Sequence, residues 1–186
     1  MSKILLRTYL VCGQCPPYDF KLEGKMSDLL KHLNFISDWV HQYKADCPAL
    51  MNQGLSRKII DEKVKDLPFR LPTEVYELYQ WQNGGKNSFI PHPDGWDLAS
   101  FPSLEESVDS AKDWDGSFNL FPLFSIEDGG YFVICTKEER EQSPIYCSDV
   151  PEEAIEHEPL YSSLTSMMEE LANQLCNRNT ADNNYM

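Results

Sequence analysis

The sequence predicts an α+β fold, an antiparallel or mixed sheet with helices packed on it, preceded by an N-terminal strand and helix extension. Three observations carry this. Apolar residues recur at three- and four-residue steps between residues 26 and 81, the period of helices. Strand-like segments at 119–135 and 144–148 are joined by glycine-bearing and charged turns, which make neighbouring strands antiparallel. A last apolar stripe at 164–175 closes the chain with a helix. Strands grouped by hairpins form one sheet, and helices on either side in the sequence must bury their stripes against it. Of the 186 residues, 41% are hydrophobic and 12% aromatic, which is enough for a core and excludes a disordered chain.

Residues 1–24 read as a short strand, Ile4 to Val11, and a proline-rich turn. From Met26 the period changes: Leu29, Leu33, Ile36, Val40 and Tyr43 share a helical face, widened by Trp39, and Pro48 stops the helix near Cys47. A second helix over 55–66 turns Leu55, Ile59, Ile60 and Val64 inward and Arg57, Lys58, Lys63 and Lys65 outward. In the segment LPFRLPTEVYELYQWQNGG, residues 67–85, Pro72 suits a first helical turn, where its missing N–H costs nothing. Glu74 sits near the positive end of the helix dipole. Val75, Leu78 and Tyr79 form the buried stripe, and Asn83, Gly84 and Gly85 offer the left-handed backbone that ends a helix.

A short strand over 87–92 leads into the loop PDGWDLASFP, and Ser103 with Glu106 has the capping-box spacing of a helix at 103–112. In NLFPLFSIEDGGYFVIC, residues 119–135, Phe121, Leu123 and Ser125 alternate on one side. After a turn at Glu127 to Gly130, Tyr131, Val133 and Cys135 oppose Phe132 and Ile134. A third strand at 144–148 is followed by the acidic, loop-like PEEAIEHEP. Leu164, Met167, Met168, Leu171 and Leu175 then share a helical face, with Ser166 and Glu169 spaced to cap it. The expected division is an extension over 1–54, a main domain over 55–176 and a disordered tail over 177–186.

Charge is distributed unevenly. Residues 1–66 hold ten Lys/Arg and eight Asp/Glu, a net +2, whereas residues 67–186 hold six and twenty-two, a net −16. That portion repels polyphosphate and anionic lipid, so nucleic acid and membrane are not expected partners, while a cationic protein is attracted. No apolar run approaches the ~20 residues that span a bilayer. The start MSKILLRTYLVCG is too short, and too interrupted by Arg7, for a signal peptide, so a cytoplasmic protein is expected.

No nucleophile elbow, Walker loop, HExxH or dinucleotide fingerprint occurs in the sequence. Among six cysteines only Cys12 and Cys15 have a suggestive spacing, C-G-Q-C. Pro16 and Pro17 break the helix that a redox pair needs, and a second ligand pair for zinc is missing. The four histidines have no sequence-near nucleophile to activate. No cofactor and no metal are expected. Asp94, Asp97, Asp113, Asp115, Glu127 and Asp128 lie in or beside predicted loops, and Trp96 and Trp114 stand among aspartates. The plain reading is solvated loop acids. The sharper one is a partner-binding patch of Asp94, Trp96, Asp97, Asp113, Asp115, Glu127 and Asp128, in which the ring supplies buried area and the acids steer Arg or Lys.

The segment LPFRLPTEVYELYQWQNGG resembles the signature of the SUKH superfamily, named partly for the yeast Smi/Knr cell-wall regulators. The loop with Trp96, the helix at SLEES, the strands at FPLF and GGYFVIC, Pro144-Ile145-Tyr146 and the closing SSLTSMMEELA helix follow in the same order, so the likeness covers roughly residues 55–175. Leu71, Pro72, Trp81, Asn83, Gly84 and Gly85 match the signature and read as structural. The resemblance implies a non-enzymatic α+β binding domain without shared catalytic residues. Many of its bacterial members are thought to be immunity proteins that neutralise toxins, often nucleases, and its fungal relatives serve as signalling and cell-wall scaffolds. The expectation is therefore a binding module whose partner is a protein, a basic toxin among the candidates. The alternative is a small enzyme or metal protein using Cys12/Cys15 or a loop carboxylate pocket.

Overall fold

A computed structural model describes residues 26–43, 52–85, 89–91, 98–114 and 119–182. The expected strand at Ile4–Val11, Cys12 and Cys15 lie outside the described residues. Helix α1, Asp28–Tyr43, buries Leu29, Leu33, Ile36 and Val40, the stripe that the spacing requires. Strand β1, Asn52–Gln53, precedes α2, Arg57–Val64, whose first turn is held by the Ser56 hydroxyl accepting from Ile59 N–H. Only Ile60 and Val64 of α2 are fully buried; Ile59, expected inside, is 45% exposed, because Ile60 and Val64, four apart, define the inward face and Ile59 is turned about 100° away from it.

Helix α3, Thr73–Trp81, is followed by β2, Gln82–Asn83, which pairs antiparallel with β1. Then come β3, Phe89–Pro91, and β4, Leu98–Ser100. Helix α4, Leu104–Asp113, carries the expected capping box: Ser103 accepts from Glu106 N–H, and Glu106 accepts from Ser103 N–H. Strands β5, Leu120–Ile126, β6, Gly129–Ile134, and β7, Ile145–Ser148, complete a five-stranded sheet in the order β3-β4-β5-β6-β7, antiparallel throughout. A short helix α5, Pro151–Ala154, and the long α6, Leu164–Asp182, end the described chain.

The 119–135 hairpin forms as expected, with Leu120 opposite Ile134, Ile126 opposite Gly129, and Glu127–Asp128 as the turn. Its alternation is broken by a register shift between Pro122 and Phe124, so Phe121, Leu123 and Phe124 all enter the main core and Ser125 is left exposed. Three further differences appear. Leu98–Ser100, expected as loop, is a strand, because β3 on one side and β5 on the other supply its partners. The acidic 151–159 stretch opens with α5. The closing helix starts at Leu164, two residues before the expected cap, and runs to Asp182, so 177–182 are helical where a disordered tail was expected. Ser163 and Ser166 exchange backbone and hydroxyl hydrogen bonds of 3.0 Å in each direction, the part given in the sequence reading to Ser166 and Glu169.

One core runs through the molecule. Leu29 and Leu33 of α1, Leu78 and Tyr79 of α3, Leu104 of α4, and Met167, Leu171 and Leu175 of α6 meet Phe121, Phe124, Tyr131 and Val133 of the sheet. Rings order its centre: Tyr79 lies 5.6 Å from Phe101 and 6.4 Å from Phe121 between centroids. The opposite sheet face is partly covered by a smaller cluster. There Leu120 and Phe132 meet Ala154 of α5 and the Trp114 ring, which stands edge-on to Phe132 at 5.4 Å.

Candidate functional site

The signature residues act as a capping hub around α3. Leu71 is fully buried, and Pro72 takes the extended cap position rather than the first helical one. The free amides at the start of α3 find main-chain acceptors in the 137–142 loop: Thr73 N–H donates to Arg140 O (2.8 Å) and Glu74 N–H to Glu141 O (3.3 Å). Glu74, only 6% exposed, turns its carboxylate onto the start of α6, where Oε1 accepts from Thr165 N–H (2.8 Å) and Oε2 from Leu164 N–H (3.3 Å). A carboxylate there satisfies orphan donors and complements the helix dipole. The other end of α3 serves α4: Asn83 Oδ1 accepts from Leu104 N–H (2.8 Å), and Asn83 Nδ2 donates to Glu105 (3.3 Å), which Lys63 also holds at 2.6 Å. Trp81 ties α3 to α1 through Nε1–H donating to Asn34 Oδ1 at 2.9 Å.

The expected left-handed helix end does not form. After Trp81 the backbone goes directly extended at Gln82 (φ −154, ψ 142) to pair with β1. Gly84 is required for a different reason: a Cβ there would collide with the Phe101 and Pro102 carbonyls. That close approach lets Gly85 N–H donate to Phe101 O at 2.8 Å, and Gly84 O accepts from Asn52 Nδ2 at 2.7 Å. Outside this hub, Arg57 lies 3.4 Å over the Tyr76 ring and donates to Glu139 at 2.6 Å. Glu139 also accepts from the Thr73 hydroxyl (3.1 Å). The Arg57 hydrogen bond holds the Glu139 carboxyl below its ordinary range, and Glu139 in turn raises the guanidinium. These pairs fasten the 137–142 loop to α2 and α3.

The acids behave differently. Asp94, Trp96, Asp97 and Asp115 lie outside the described residues. Asp113, Glu127 and Asp128 are exposed, but the sheet separates them. Asp113 ends α4 just before the chain passes into β5 at Leu120, whereas Glu127 and Asp128 follow its last residue. Seven strand residues put the two ends of β5 ~20 Å apart. The register gathers other connections at the Glu127–Asp128 end. Ser100 opposes Ser125, so Leu98 runs toward that turn, and Pro91 opposite Leu98 delivers the segment 92–97 from the same end. Ser148 opposes Gly130, so β7 leaves the sheet there too. Gly129 (φ +143) permits the contact: a Cβ on it would stand 2.8 Å from the Cα of Asp149. Asp149, absent from the sequence-level patch, thus joins Glu127 and Asp128. Only strand pairing reveals it, since twenty residues separate it from the turn.

Other chemistry finds little footing among the described residues. Among the described residues no group of His, Cys, Asp and Glu could hold a metal ion, and no helix is long and apolar enough to cross a membrane. Cys135 is buried, and burial raises its thiol pKa, which keeps it from being a thiolate nucleophile.

The molecule is thus an α+β domain in which one short helix, α3, caps two others over an antiparallel sheet, and whose connections at one sheet end are acidic. The chain belongs to the SMI1 / KNR4 family (SUKH-1), whose model matches residues 54–170. Membership suggests an immunity-protein-like or regulatory role, and the family is generally non-enzymatic. No curated protein matches the chain. The match begins after α1, yet Leu29, Leu33 and Ile36 of that helix belong to the same core as the matched residues.

Proposed function

We propose that this protein is a non-enzymatic binding domain that recognises a basic protein partner through the acidic end of its sheet, as an immunity protein neutralising a toxin such as a nuclease does. The observation that carries this is the convergence of three connections on one sheet end: the ends of segment 92–97, the Glu127–Asp128 turn, and Asp149 after β7. The proposed contacts are Asp94, Trp96, Asp97, Glu127, Asp128 and Asp149; Asp113, at the other end of β5, falls outside them. A nuclease needs a cationic surface to hold phosphates. An acidic domain of net charge −16 over residues 67–186 complements that surface and accelerates encounter. The family role in immunity or regulation and the cytoplasmic setting expected from the sequence are consistent with such a partner.

The test is capture of the partner from the source cell with the full chain, followed by association and dissociation rates on the purified pair. Asp94→Asn with Asp97→Asn should slow association at low salt and matter little at 1 M, where the Debye length is ~3 Å. Trp96→Ala should speed dissociation and cost ~2 kcal/mol or more in affinity. An acidic partner, or association indifferent to salt, refutes the proposal.

A further inference from the structure

Between β7 and α6 the chain makes an excursion from one end of β7 back to the other. It leaves the sheet at Ser148 and returns where Leu160 N–H and Tyr161 N–H both donate to Ile145 O, at 2.8 and 3.2 Å. Its foot is Ala154, fully buried in the cluster with Leu120 and Phe132. With Ala154 holding the excursion down, its larger aliphatic side chains remain outside. Four large aliphatic side chains stand exposed among the described residues, and three of them fall here: Val150 at 37%, Ile155 at 43% and Leu160 at 53%. Exposed aliphatics scattered singly need no explanation, but these three fall within eleven residues of one excursion, Val150 just beyond Ser148 and Leu160 against Ile145 at the other end of β7. The chain that carries them is one-signed. From Glu141 to Asn177 the sequence holds eight Asp/Glu and no Lys or Arg. Asp149, Glu153 and Glu156 are exposed, and none of them enters an ion pair among the described residues.

An apolar centre within a charged rim is the anatomy of a protein interface, and the sign of the rim selects the occupant. A second copy would bring the same acids against these, and an anionic lipid surface would be repelled. We propose that Val150, Ile155 and Leu160 are the apolar anchor of the partner-binding surface, and that their occupant is a protein segment presenting apolar side chains flanked by Lys or Arg. This rests on the reading of the chain as a partner-binding domain, and it adds aliphatic area to an acidic sheet end whose one proposed apolar contact is the Trp96 ring. Asp149, beside Gly129 and next to Val150 in the chain, links the two areas. Exposed rim acids set the encounter rate, while aliphatics desolvated on docking set the residence time.

The test uses the full chain and a synthetic amphipathic peptide of leucine and lysine, about 15 residues long so that it forms one apolar helical face. Amide shifts are followed by NMR, and a peptide with glutamate in place of lysine and another with serine in place of leucine serve as comparisons. The expected result is shifts centred on 149–160 with the leucine–lysine peptide alone. Ile155→Ser with Leu160→Ser should weaken binding about tenfold without lowering the melting temperature, because neither side chain is buried. Glu153→Gln with Glu156→Gln should weaken binding at low salt and not at 1 M. Absence of peptide binding, shifts centred elsewhere, or equal binding by the serine variant overturns the proposal. If the captured native partner binds the Ile155→Ser, Leu160→Ser chain as wild type while Asp94→Asn with Asp97→Asn still slows its association, this anchor is refuted and the acidic sheet end stands. If those acidic variants also have no effect, the broader reading falls with it.

Discussion

Replacing Glu74 by alanine should destabilise the protein far more than a single carboxylate normally does. Glu74 is 6% exposed and accepts from the first two amides of α6, Leu164 N–H and Thr165 N–H. The next amide, Ser166 N–H, has its own acceptor in the Ser163 hydroxyl. Glu74→Ala therefore leaves two amides at a largely buried helix start without acceptors. A lost cap costs ~0.5–2 kcal/mol, a buried donor left unsatisfied ~1–3 kcal/mol, and a favourable charge at a partly buried helix end up to ~2 kcal/mol. These overlap, because they describe the same two hydrogen bonds, so the expected loss is ~2–4 kcal/mol rather than their sum. Against a total stability of ~5–15 kcal/mol this is a large fraction. In a chain of this size it lowers the melting temperature by ~5–15 °C.

Urea unfolding of wild type, Glu74→Ala and Glu74→Gln measures it. Glutamine keeps one acceptor oxygen and the shape of the side chain, so it should recover about half of the loss. If Glu74→Ala lies within ~0.5 kcal/mol of wild type, the carboxylate is not the cap of α6 and the account of α3 as a hub fails. Equal loss in the alanine and glutamine variants would show that charge, not hydrogen bonding, carries the effect.

Leu171→Ala, at a fully buried position in the core, should cost ~2–5 kcal/mol in the same unfolding measurement. Asn83→Ala should cost ~1–2 kcal/mol, because Leu104 N–H at the start of α4 loses its acceptor, whereas Asn83→Asp keeps that acceptor but sets a second carboxylate against Glu105 and should recover only part of the loss. The native Glu139 carboxyl is held below its ordinary range, chiefly by its hydrogen bond from Arg57. A depressed native pKa contributes stability that is complete above the unfolded value, ~4.3, and fades as pH falls through the lower native one. Urea midpoints between neutral pH and pH 3 should therefore hold and then drop below the ordinary carboxylate range, and the drop should be shallower in Arg57→Gln.

What could be read from the sequence was local. The Leu29–Val40 stripe, the Ser103–Glu106 capping box, the Glu127–Gly130 turn and the Met167–Leu175 face each announce themselves within a few residues, because helix period, cap chemistry and hairpin geometry are short-range. What escaped depends on partners far along the chain. Leu98–Ser100 has only three residues and is a strand because β3 and β5 flank it. Glu74 looked like an acid serving its own helix dipole, and its second role on α6 spans ninety residues. Ile59 fits an apolar stripe as well as Ile60 does, and packing against the rest of the core decides for the face of Ile60 and Val64. The Asn-Gly-Gly run was recognisable as a structural signature, but its reason was not: the glycine requirement arises from the Phe101 and Pro102 carbonyls packed against it. For the acids, the sequence placed Glu127 and Asp128 in a turn and could not say which other acids share that end of the sheet, since that is a property of register. Hence Asp113 was grouped with Glu127, and Asp149 was left out.

The placement of the two kinds of carboxylate follows a physical division. Acids whose oxygens are fully used are turned inward or across the surface to specific donors: Glu74 on α6, Glu105 with Lys63 and Asn83, Glu139 with Arg57 and Thr73. They join α2, α3, α4 and α6 and stabilise the fold. The acids around the Glu127–Asp128 turn and the β7–α5 connection make no such pairs among the described residues, and Glu127, Asp128, Asp149, Glu153 and Glu156 all face solvent. Like charges placed near one another with no counter-charge contribute nothing favourable to folding and oppose compaction. The capping hub supplies compensation, because its hydrogen bonds are buried or part-buried and less weakened by salt than surface pairs are. A domain arranged this way can keep an uncompensated acidic end, beside three exposed aliphatics, without losing its core. Docking of a cationic, apolar partner is the event that would relieve both features at once, the repulsion by neutralisation and the exposed Val150, Ile155 and Leu160 by burial.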